Sequence, residues 1–463
     1  MGTLLSSLNI AIQSMEANQE ALSTTTNNIA NANTPGYTDQ SVSLVESRPI
    51  EYGGMLFGDG VSVSQITSQR DSLLQTRLDQ ETQQQSSYNS YLGTMQQVQT
   101  LFNETTGNGL QTSLTSFFNS LQQLSTSPAD VSLRQGVLTA AQNLAQTFNS
   151  TSSNLSQLQE SADQTVTQTV SQINTLTSQI ANLNVQIASA SGGGQNANTL
   201  LDQRDQAIEQ LSGLIDVSQS DAGGGLVTLT TSNGTALVVG NHSIPLTTET
   251  NPSTGFQDIY SQGSDITSGI TSGSLAGALQ ARDQSIPLIL SSLDSLASSL
   301  GNSMNTVNEA GTDLNGNQGQ AFFNLPSSGS AGAAATISVA LTAPSQIAGS
   351  LNGTSGDNSN INAMLALQNQ TIVNGQTPIN AYSNLVDQVG NDVSTATSQN
   401  TSSQAVITQL QNQISSVSGV DINQESVNLI QYERAYQAAA QVSAVIDSLT
   451  ASAIDLGQAQ SVA

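Results

Sequence analysis

The stretch that decides how this chain is read is TTTNNIANANTPGYTDQ, residues 24–40. Ahead of it, Leu5, Leu8, Ile12, Met15, Leu22 and Ile29 fall on alternating three- and four-residue steps, with Gln19 and Thr26 as polar members of the same stripe. That spacing is a coiled-coil seam and predicts an amphipathic helix over roughly the first thirty residues. The quoted stretch closes the helix with residues that disfavour it. Thr24, Thr25, Thr26, Asn27 and Asn28 each cost a few tenths of a kcal/mol relative to alanine, so the helix is marginal alone and needs neighbours. Pro35 then pushes Thr34 toward extended geometry, Pro35-Gly36 suits a type II turn, and Asn31 and Asn33 can cap the groups freed at the helix end. The chain leaves the helix in a fixed direction.

The opposite end answers the first. Tyr432, Ala435, Ala439, Val442, Ile446, Leu449, Ala453 and Leu456 repeat the same spacing. A narrow seam buries too little area to offset the entropy of ordering it unless several copies pack together. The two ends, residues 1–40 with 420–463, are therefore expected to be disordered in a free molecule and to fold on assembly. On this reading Leu5, Leu8, Ile12, Met15, Leu22, Ile29, Leu429, Tyr432, Tyr436, Val442, Ile446, Leu449 and Leu456 form a subunit interface, together with Asn28, Asn31, Pro35, Gly36 and Tyr37 around the turn. Gln19 and Thr26 weaken the isolated helix and help specify register among like helices.

Between the ends, helical periodicity dominates. Long stripes run over about 66–102, 131–190 and 380–417, the second stopping at Gly192-Gly193-Gly194; helices this long with narrow stripes make a rod. The pattern changes near Asp216. In GGGLVTLTTSNGTALVVGNHSIPL, short β-branched runs are split by Asn233-Gly234 and Gly240-Asn241, the signature of hairpins. Helical spacing returns near residue 270, and the Ser-, Gly- and Ala-rich segment 325–360 holds one candidate strand at 336–341. The expected fold is mainly α with an inserted β domain, an α+β multidomain chain. Its parts are the terminal coiled-coil helices, a long-helix rod domain over 41–216 with 270–324 and 361–419, and a small β domain over 217–269 with 325–360.

Composition narrows the function. Of 463 residues only 9% are charged, all seven basic residues are arginine, and the formal net charge is -26. A phosphate backbone or an anionic membrane would be repelled, so neither nucleic acid nor membrane is an expected partner. Cysteine is absent, which removes disulfides, thiolate metal sites and thiol nucleophiles. The first residues show no basic n-region and no continuous apolar block, so neither a secretory signal nor a membrane anchor is expected there.

Catalytic inventory is thin. His242, in Gly-Asn-His-Ser between two strand-like runs, reads as a solvated turn. DLNGNQG, residues 313–319, places oxygen ligands as a calcium loop would, but the glycine is one place late and position twelve is Asn324, so an Asn-Gly loop is the simpler reading. In LLDQRDQAIEQL, Asp202, Arg204, Asp205 and Glu209 read as a surface helix network. No catalytic residue, metal ligand or cofactor is assigned.

At this point the motifs are recognisable. ALSTTTNNIANANTPGYTDQ resembles the N-terminal motif of the bacterial flagellar rod, hook and hook-associated family, and ESVNLIQYERAYQAAAQVSAVIDSLTASAIDL resembles its C-terminal motif. Three internal stretches, FFNSLQQLSTSPADVSLRQGVLTAAQNLAQTFN, TLLDQRDQAIEQLSGLIDV and AGTDLNGNQGQAFF, are similar to the hook–filament junction branch of that family. The resemblance implies a noncatalytic extracellular subunit at the hook tip, exported through the flagellar type III apparatus without a cleaved signal peptide. Implied partners are further copies in a ring, the hook protein, the second junction protein (hook-associated protein 3) and a cytoplasmic export chaperone at the C-terminal segment. The stretch from about 217 to 350 looks short for family members that carry an additional outer domain. Alternatives are the hook protein or another axial protein, which share the end motifs but should be mostly β between them, and a secreted glycan hydrolase using two carboxylates, one with a raised pKa.

Overall fold

The computed structural model describes residues 2–52, 55–103, 109–192, 196–327 and 329–459. Its contacts divide the chain into two units, Met1–Thr82 with Ile173–Pro245 and Gln404–Ala463, and Gln83–Gln172 with Leu246–Ser403. The fold is mainly α with small antiparallel sheets. In chain order the elements begin with α1 (Gly2–Asn31), β1 (Gln40–Glu46), β2 (Ile50–Tyr52), β3 (Met55–Phe57), β4 (Val61–Ser68), α2 (Ser72–Leu101), α3 (Leu110–Thr126), α4 (Val131–Gly192) and α5 (Asn198–Ser212). Strands β5 (Ser218–Gly223), β6 (Leu226–Thr230), β7 (Ala236–Val239), β8 (His242–Ser243), β9 (Leu246–Thr250), β10 (Gln257–Ser261) and β11 (Ser264–Asp265) follow, then α6 (Gly273–Gln280) and α7 (Ile286–Ala310). The chain closes with β12 (Phe323–Asn324), α8 (Ala333–Thr336), β13 (Ser338–Val339), α9 (Ser359–Ala366), α10 (Pro378–Ser418) and α11 (Ile422–Ala459).

The long helices lie where the periodicity puts them: α4 ends at Gly192, and α2 and α10 match the first and last central stripes. The strands after Asp216 are present as well, but they form two sheets, β5-β6-β7-β8 and β11-β10-β9, which belong to different units. A second difference lies at residues 40–68, where periodicity gave no strand. There β1 pairs with β4 antiparallel, with a bulge at Ser43/Leu44, and β2 pairs with β3. The β1 pattern alternates weakly because Leu44 and Val45 are both exposed, so this ribbon lacks the buried face that makes a strand legible.

In the first unit, buried Asn184 of α4 holds the four-stranded sheet by imitating a backbone partner. Its Nδ2 donates to the carbonyls of Val227 (2.9 Å) and Gly240 (2.7 Å), and its Oδ1 accepts from Val227 N–H. The second unit is closed by a core in which Phe117, Phe118, Phe322 and Phe323 stack with ring centroids 5.0–6.1 Å apart. Around it Asn305, Asn308 and Asn360 bind loop carbonyls and amides as Asn184 does. Buried amides paired in this way fix loops without charge. Between α6 and α7 a π-helical turn, Ala281–Ser285, carries fully buried Arg282, whose guanidinium reaches Asp163 (2.6 Å), Asp283 (2.7 Å) and the Gln257 carbonyl (2.7 Å). Gln159 Nε2 donates to the Arg282 carbonyl (2.7 Å) at this turn.

Candidate assembly surface

The two terminal helices pack on each other within the first unit. Asn28, in the last turn of α1, reaches Glu425, in the first turn of α11 (3.1 Å), so the helices run antiparallel. The residues these helices bury are mostly small or polar: Ala11, Ala17, Ala21, Thr24, Thr25 and Asn28 on α1, and Glu425, Ala439 and Ile446 on α11, with β4 and α5 also lying beside Ala17. Small residues let the backbones approach closely, but they remove little apolar area from water. Other apolar residues stay bare: Val442 and Leu449 on the same stripe of α11 as Ala439 and Ile446, Val427, Ile430, Val445 and Ile454 elsewhere on that helix, and Leu5 and Ile12 on α1.

A polar hub fixes where the helices meet. The turn after α1 closes with Tyr37 N–H donating to Thr34 O (3.2 Å) and Gly36 at φ +78°, the left-handed conformation a type II turn needs at its third residue. Asn31 Nδ2 caps the Asn27 carbonyl (3.0 Å). Asn28 is fully buried, and its side chain pairs with Gln40 as a peptide would, Nδ2 donating to Gln40 O (2.8 Å) and Oδ1 accepting from Gln40 N–H (3.2 Å). The same Nδ2 lies 2.7 Å from Asp39 Oδ1, and Tyr37 Oη donates to Asn28 Oδ1 (2.8 Å). Burial, with Asp202, Asp39 and Glu425 nearby, pushes the Tyr37 hydroxyl up to about 12, so it stays a donor. Burial and then Glu425 raise the Asp39 carboxyl.

From the hub the chain is tied outward. Asp39 N–H donates to Ser418 O (2.8 Å) at the end of α10, and Thr38 Oγ1 donates to Asp202 Oδ1 (2.8 Å) on α5. Arg70 bridges Asp202 (2.5 Å), Asp205 (3.2 Å) and the Asn198 carbonyl (2.8 Å). The α5 acids are thus no surface network: Asp202 and Arg204 are buried, and Arg204 turns away from the carboxylates to Asn184 Oδ1 (3.1 Å) and Gly225 O (2.6 Å). The helix periodicity places these residues correctly on α5, but their partners come from far along the chain. Beside Arg70 a cavity of about 250 Å³ is lined by Tyr37, Asp79, Asp205 and Glu209 among others. Burial raises the Asp79 carboxyl to about 7, opposed by a hydrogen bond from Gln75 Nε2 (3.1 Å), while Asp205 and Glu209 are also raised by burial.

The sequence-derived interface residues divide into three groups. Leu8, Met15, Leu22, Ile29, Leu429, Tyr432 and Tyr436 are half-buried, as are Asn31 and Tyr37, and Asn28 and Ile446 are buried. Leu5, Ile12, Pro35, Gly36, Val442 and Leu449 are exposed. The Leu456 side chain lies outside the described residues. Hydrophobic spacing missed the buried Ala11, Ala17 and Ala21 line and Glu425; three alanines stepping by six and then four residues off the paired seam were the available signal. His242 stands exposed at a strand end. In the 313–319 loop, Asp313 Oδ1 accepts backbone N–H bonds from Asn315 and Asn317 (2.8 Å each), which hold its carboxyl below the usual range. No group of three or more His, Cys, Asp or Glu among the described residues is placed to hold a metal, and no helix among them is long and apolar enough to cross a membrane.

Comparison with known proteins agrees with this geometry. Residues 8–38 match the family model for the flagella basal body rod protein, 95–323 that for the flagellar hook-associated protein FlgK helical domain, and 411–456 that for the flagellar basal body rod FlgEFG protein C-terminal segment. Flagellar hook-associated protein 1 of Bacillus subtilis is 31% identical over 96% of this chain and 96% of its own length. The protein of that name from Salmonella typhimurium is 28% identical over 94% of this chain and 97% of its own. The solved structure of the flagellar hook junction protein FlgK from Burkholderia pseudomallei shares the fold, with a TM-score of 0.66 at 22% identity over 73% of this chain and 99% of that one. With both terminal helices, the helical domain between them and near full-length similarity accounted for, the chain belongs to the flagellar hook-associated protein 1 family.

Proposed function

We propose that the chain is a structural subunit of the bacterial flagellum that forms the junction between hook and filament and is needed for flagellum assembly. One observation carries the reading: a chain of this family presents, on two terminal helices that bury mainly small residues, apolar side chains left exposed among the described residues. Those side chains are suited to meeting further copies arranged in a ring. The interface residues named from the sequence act there, the half-buried ones setting the α1–α11 pair and the exposed ones meeting neighbours. The thin apolar contact of the pair supports the view that the ends order only on assembly. Neighbouring partners are the hook protein and hook-associated protein 3, with a chaperone on the C-terminal segment before export. The subunit works outside the cell and leaves without a cleaved signal peptide.

Predominantly helical structure between the end motifs favours the junction subunit over the hook-protein alternative. Asp79, with its raised carboxyl beside a cavity, is what a glycan-hydrolysing alternative would build on; turnover of peptidoglycan lost in Asp79→Asn would revive that alternative. The structural reading is tested by deleting residues 1–40. The middle of the chain should remain folded by circular dichroism while incorporation into flagella is abolished. Normal incorporation of the truncated chain would reject the reading.

A further inference from the structure

The seven arginines sort into two kinds. Arg70 and Arg282 sit in ion pairs, and buried Arg134 and Arg204 donate to backbone carbonyls. Arg48, Arg77 and Arg434 are exposed and, among the described residues, have no carboxylate within ion-pairing distance. All three lie in the unit that carries the terminal helices. In a chain of net charge -26, leaving scarce cations unpaired beside abundant acids leaves them available to another molecule.

Arg434 is the informative one because of what surrounds it on α11. Val427, Ile430, Arg434, Gln437, Gln441, Ala444 and Ser448 step by three and four residues, and every one is exposed. That is a second heptad seam on the side of α11 away from α1. An exposed line on α1 matches it, Leu5, Asn9, Ile12, Glu16, Gln19, Ser23, Thr26 and Ala30, with Glu16 and the neighbouring Glu20 at the rim of an open cleft shared with β4 and α5. One seam holds a cation near its middle and the other an anion. The heights agree too. Counting nine residues along α11 from Glu425, which touches Asn28, brings Arg434 level with Gln19 in the antiparallel pair, with Glu16 and Glu20 each within about one helical turn.

We infer that Arg434 forms an ion pair with Glu16 or Glu20 on α1 of a second copy of this chain, setting the lateral register of the assembly. A second copy is the occupant favoured here because its α1 line has the same spacing and carries Glu16, with Glu20 alongside, at nearly the same height as Arg434. Between Ile430 and Ala444 on one line and between Ile12 and Ala30 on the other the remaining residues are uncharged and polar, so the charged pair is what distinguishes the correct register from one slipped by a turn. The inference rests on the reading that copies pack through their terminal helices, and its test can fail separately from that reading.

The test uses the full chain in a flagellated host that lacks its own copy. Arg434→Glu should lower the amount of this chain recovered in purified hook assemblies by about ten-fold or more, and Arg434→Glu combined with Glu16→Arg or Glu20→Arg should restore it to within about two-fold of the parent. Arg434 has no ion-pair partner among the described residues of its own chain, so the melting curve of the purified Arg434→Glu protein should match the parent. The chain has no cysteine, which allows a direct contact test: Arg434→Cys with Glu16→Cys, or with Glu20→Cys, should give disulfide-linked multimers of this chain in assembled flagella. Arg434→Glu incorporated at the parental level, failure of both charge reversals to rescue, or cross-links to a different flagellar protein would each overturn the pairing. If the variant lacking residues 1–40 is incorporated normally, the assembly reading itself fails; if only Arg434→Glu is, the register pair alone is wrong.

Discussion

Replacing Asn28 by aspartate probes the hub most sharply, because the side chain keeps its shape and loses its donors. Asn28 Nδ2 lies 2.7 Å from Asp39 Oδ1 and 3.1 Å from Glu425 Oε2. An oxygen in its place gathers three carboxylates around one point, and at an effective dielectric of about 20 two like charges about 3 Å apart repel by roughly 5 kcal/mol. The cluster escapes by keeping a proton, which then serves as the missing donor. Holding that proton on a group of ordinary pKa near 4 costs about 1.4 kcal/mol per pH unit, so the penalty is about 5 kcal/mol at pH 8 and about 1 to 2 kcal/mol at pH 5. Asn28→Ala behaves differently. It strands the Gln40 N–H and C=O and the Tyr37 hydroxyl, a loss of about 3–5 kcal/mol that is present at both pH values because no carboxylate is added to the cluster. The assay is the yield of each variant in hook assemblies purified from cells grown at external pH 5 and pH 8, relative to the parent at the same pH. The hub predicts Asn28→Asp nearly absent at pH 8 and substantially recovered at pH 5, with Asn28→Ala poor at both. Equal yields of Asn28→Asp at the two pH values would refute the argument.

Other predictions follow from single contacts. A Cβ on Gly277 of α6 would stand 2.2 Å from Ser87 O and 2.9 Å from Tyr91 N; Gly277→Ala should cost about 1–3 kcal/mol and lower the thermal midpoint of the second unit, and an unchanged midpoint contradicts the packing. Asp79, with its carboxyl raised from 3.8 to about 7, binds its proton more tightly folded than unfolded, so it makes stability fall as pH rises from about 4 to 7. Asp79→Asn should remove up to about 4 kcal/mol of that penalty at pH 8 and nothing at pH 4, read by urea unfolding at both; a stability gain at pH 4 equal to that at pH 8 sinks the assignment. Asn184→Ala should strand the Val227 and Gly240 carbonyls and cost about 2–4 kcal/mol; protection of the β6 and β7 amides in hydrogen exchange as strong as in the parent would contradict that.

How much of this was legible depended on whether burial was apolar and local. The α4 stripe from Val166 to Ile187 is written in large aliphatic residues, and Val166, Val170, Ile173, Ile180, Leu183 and Ile187 are buried while Leu176 is half-buried. The hairpins after Asp216 were legible through Asn233-Gly234 and Gly240, two glycines with positive φ. The ribbon at residues 40–68 was not, since its apolar residues are shared between faces and Gly60, at φ +96° against Ile10 and Gln13, fits it to α1 through a contact fifty residues away. The terminal seam was half legible. Its spacing gave two helices, yet the residues α1 buries most deeply are alanine, threonine and asparagine, which a count of large hydrophobic residues does not find. Asn28 and Glu425, 397 positions apart, join two motifs that resemble family signatures separately; their contact needed the structure.

The most direct test of the account is amide hydrogen exchange over residues 2–31 and 422–459, measured in the purified free chain and again in assembled flagella. The account predicts exchange within seconds in the free chain and protection by several orders of magnitude after assembly, with α3 and α7 protected in both. Full protection of the two terminal helices in the dilute free chain would contradict it.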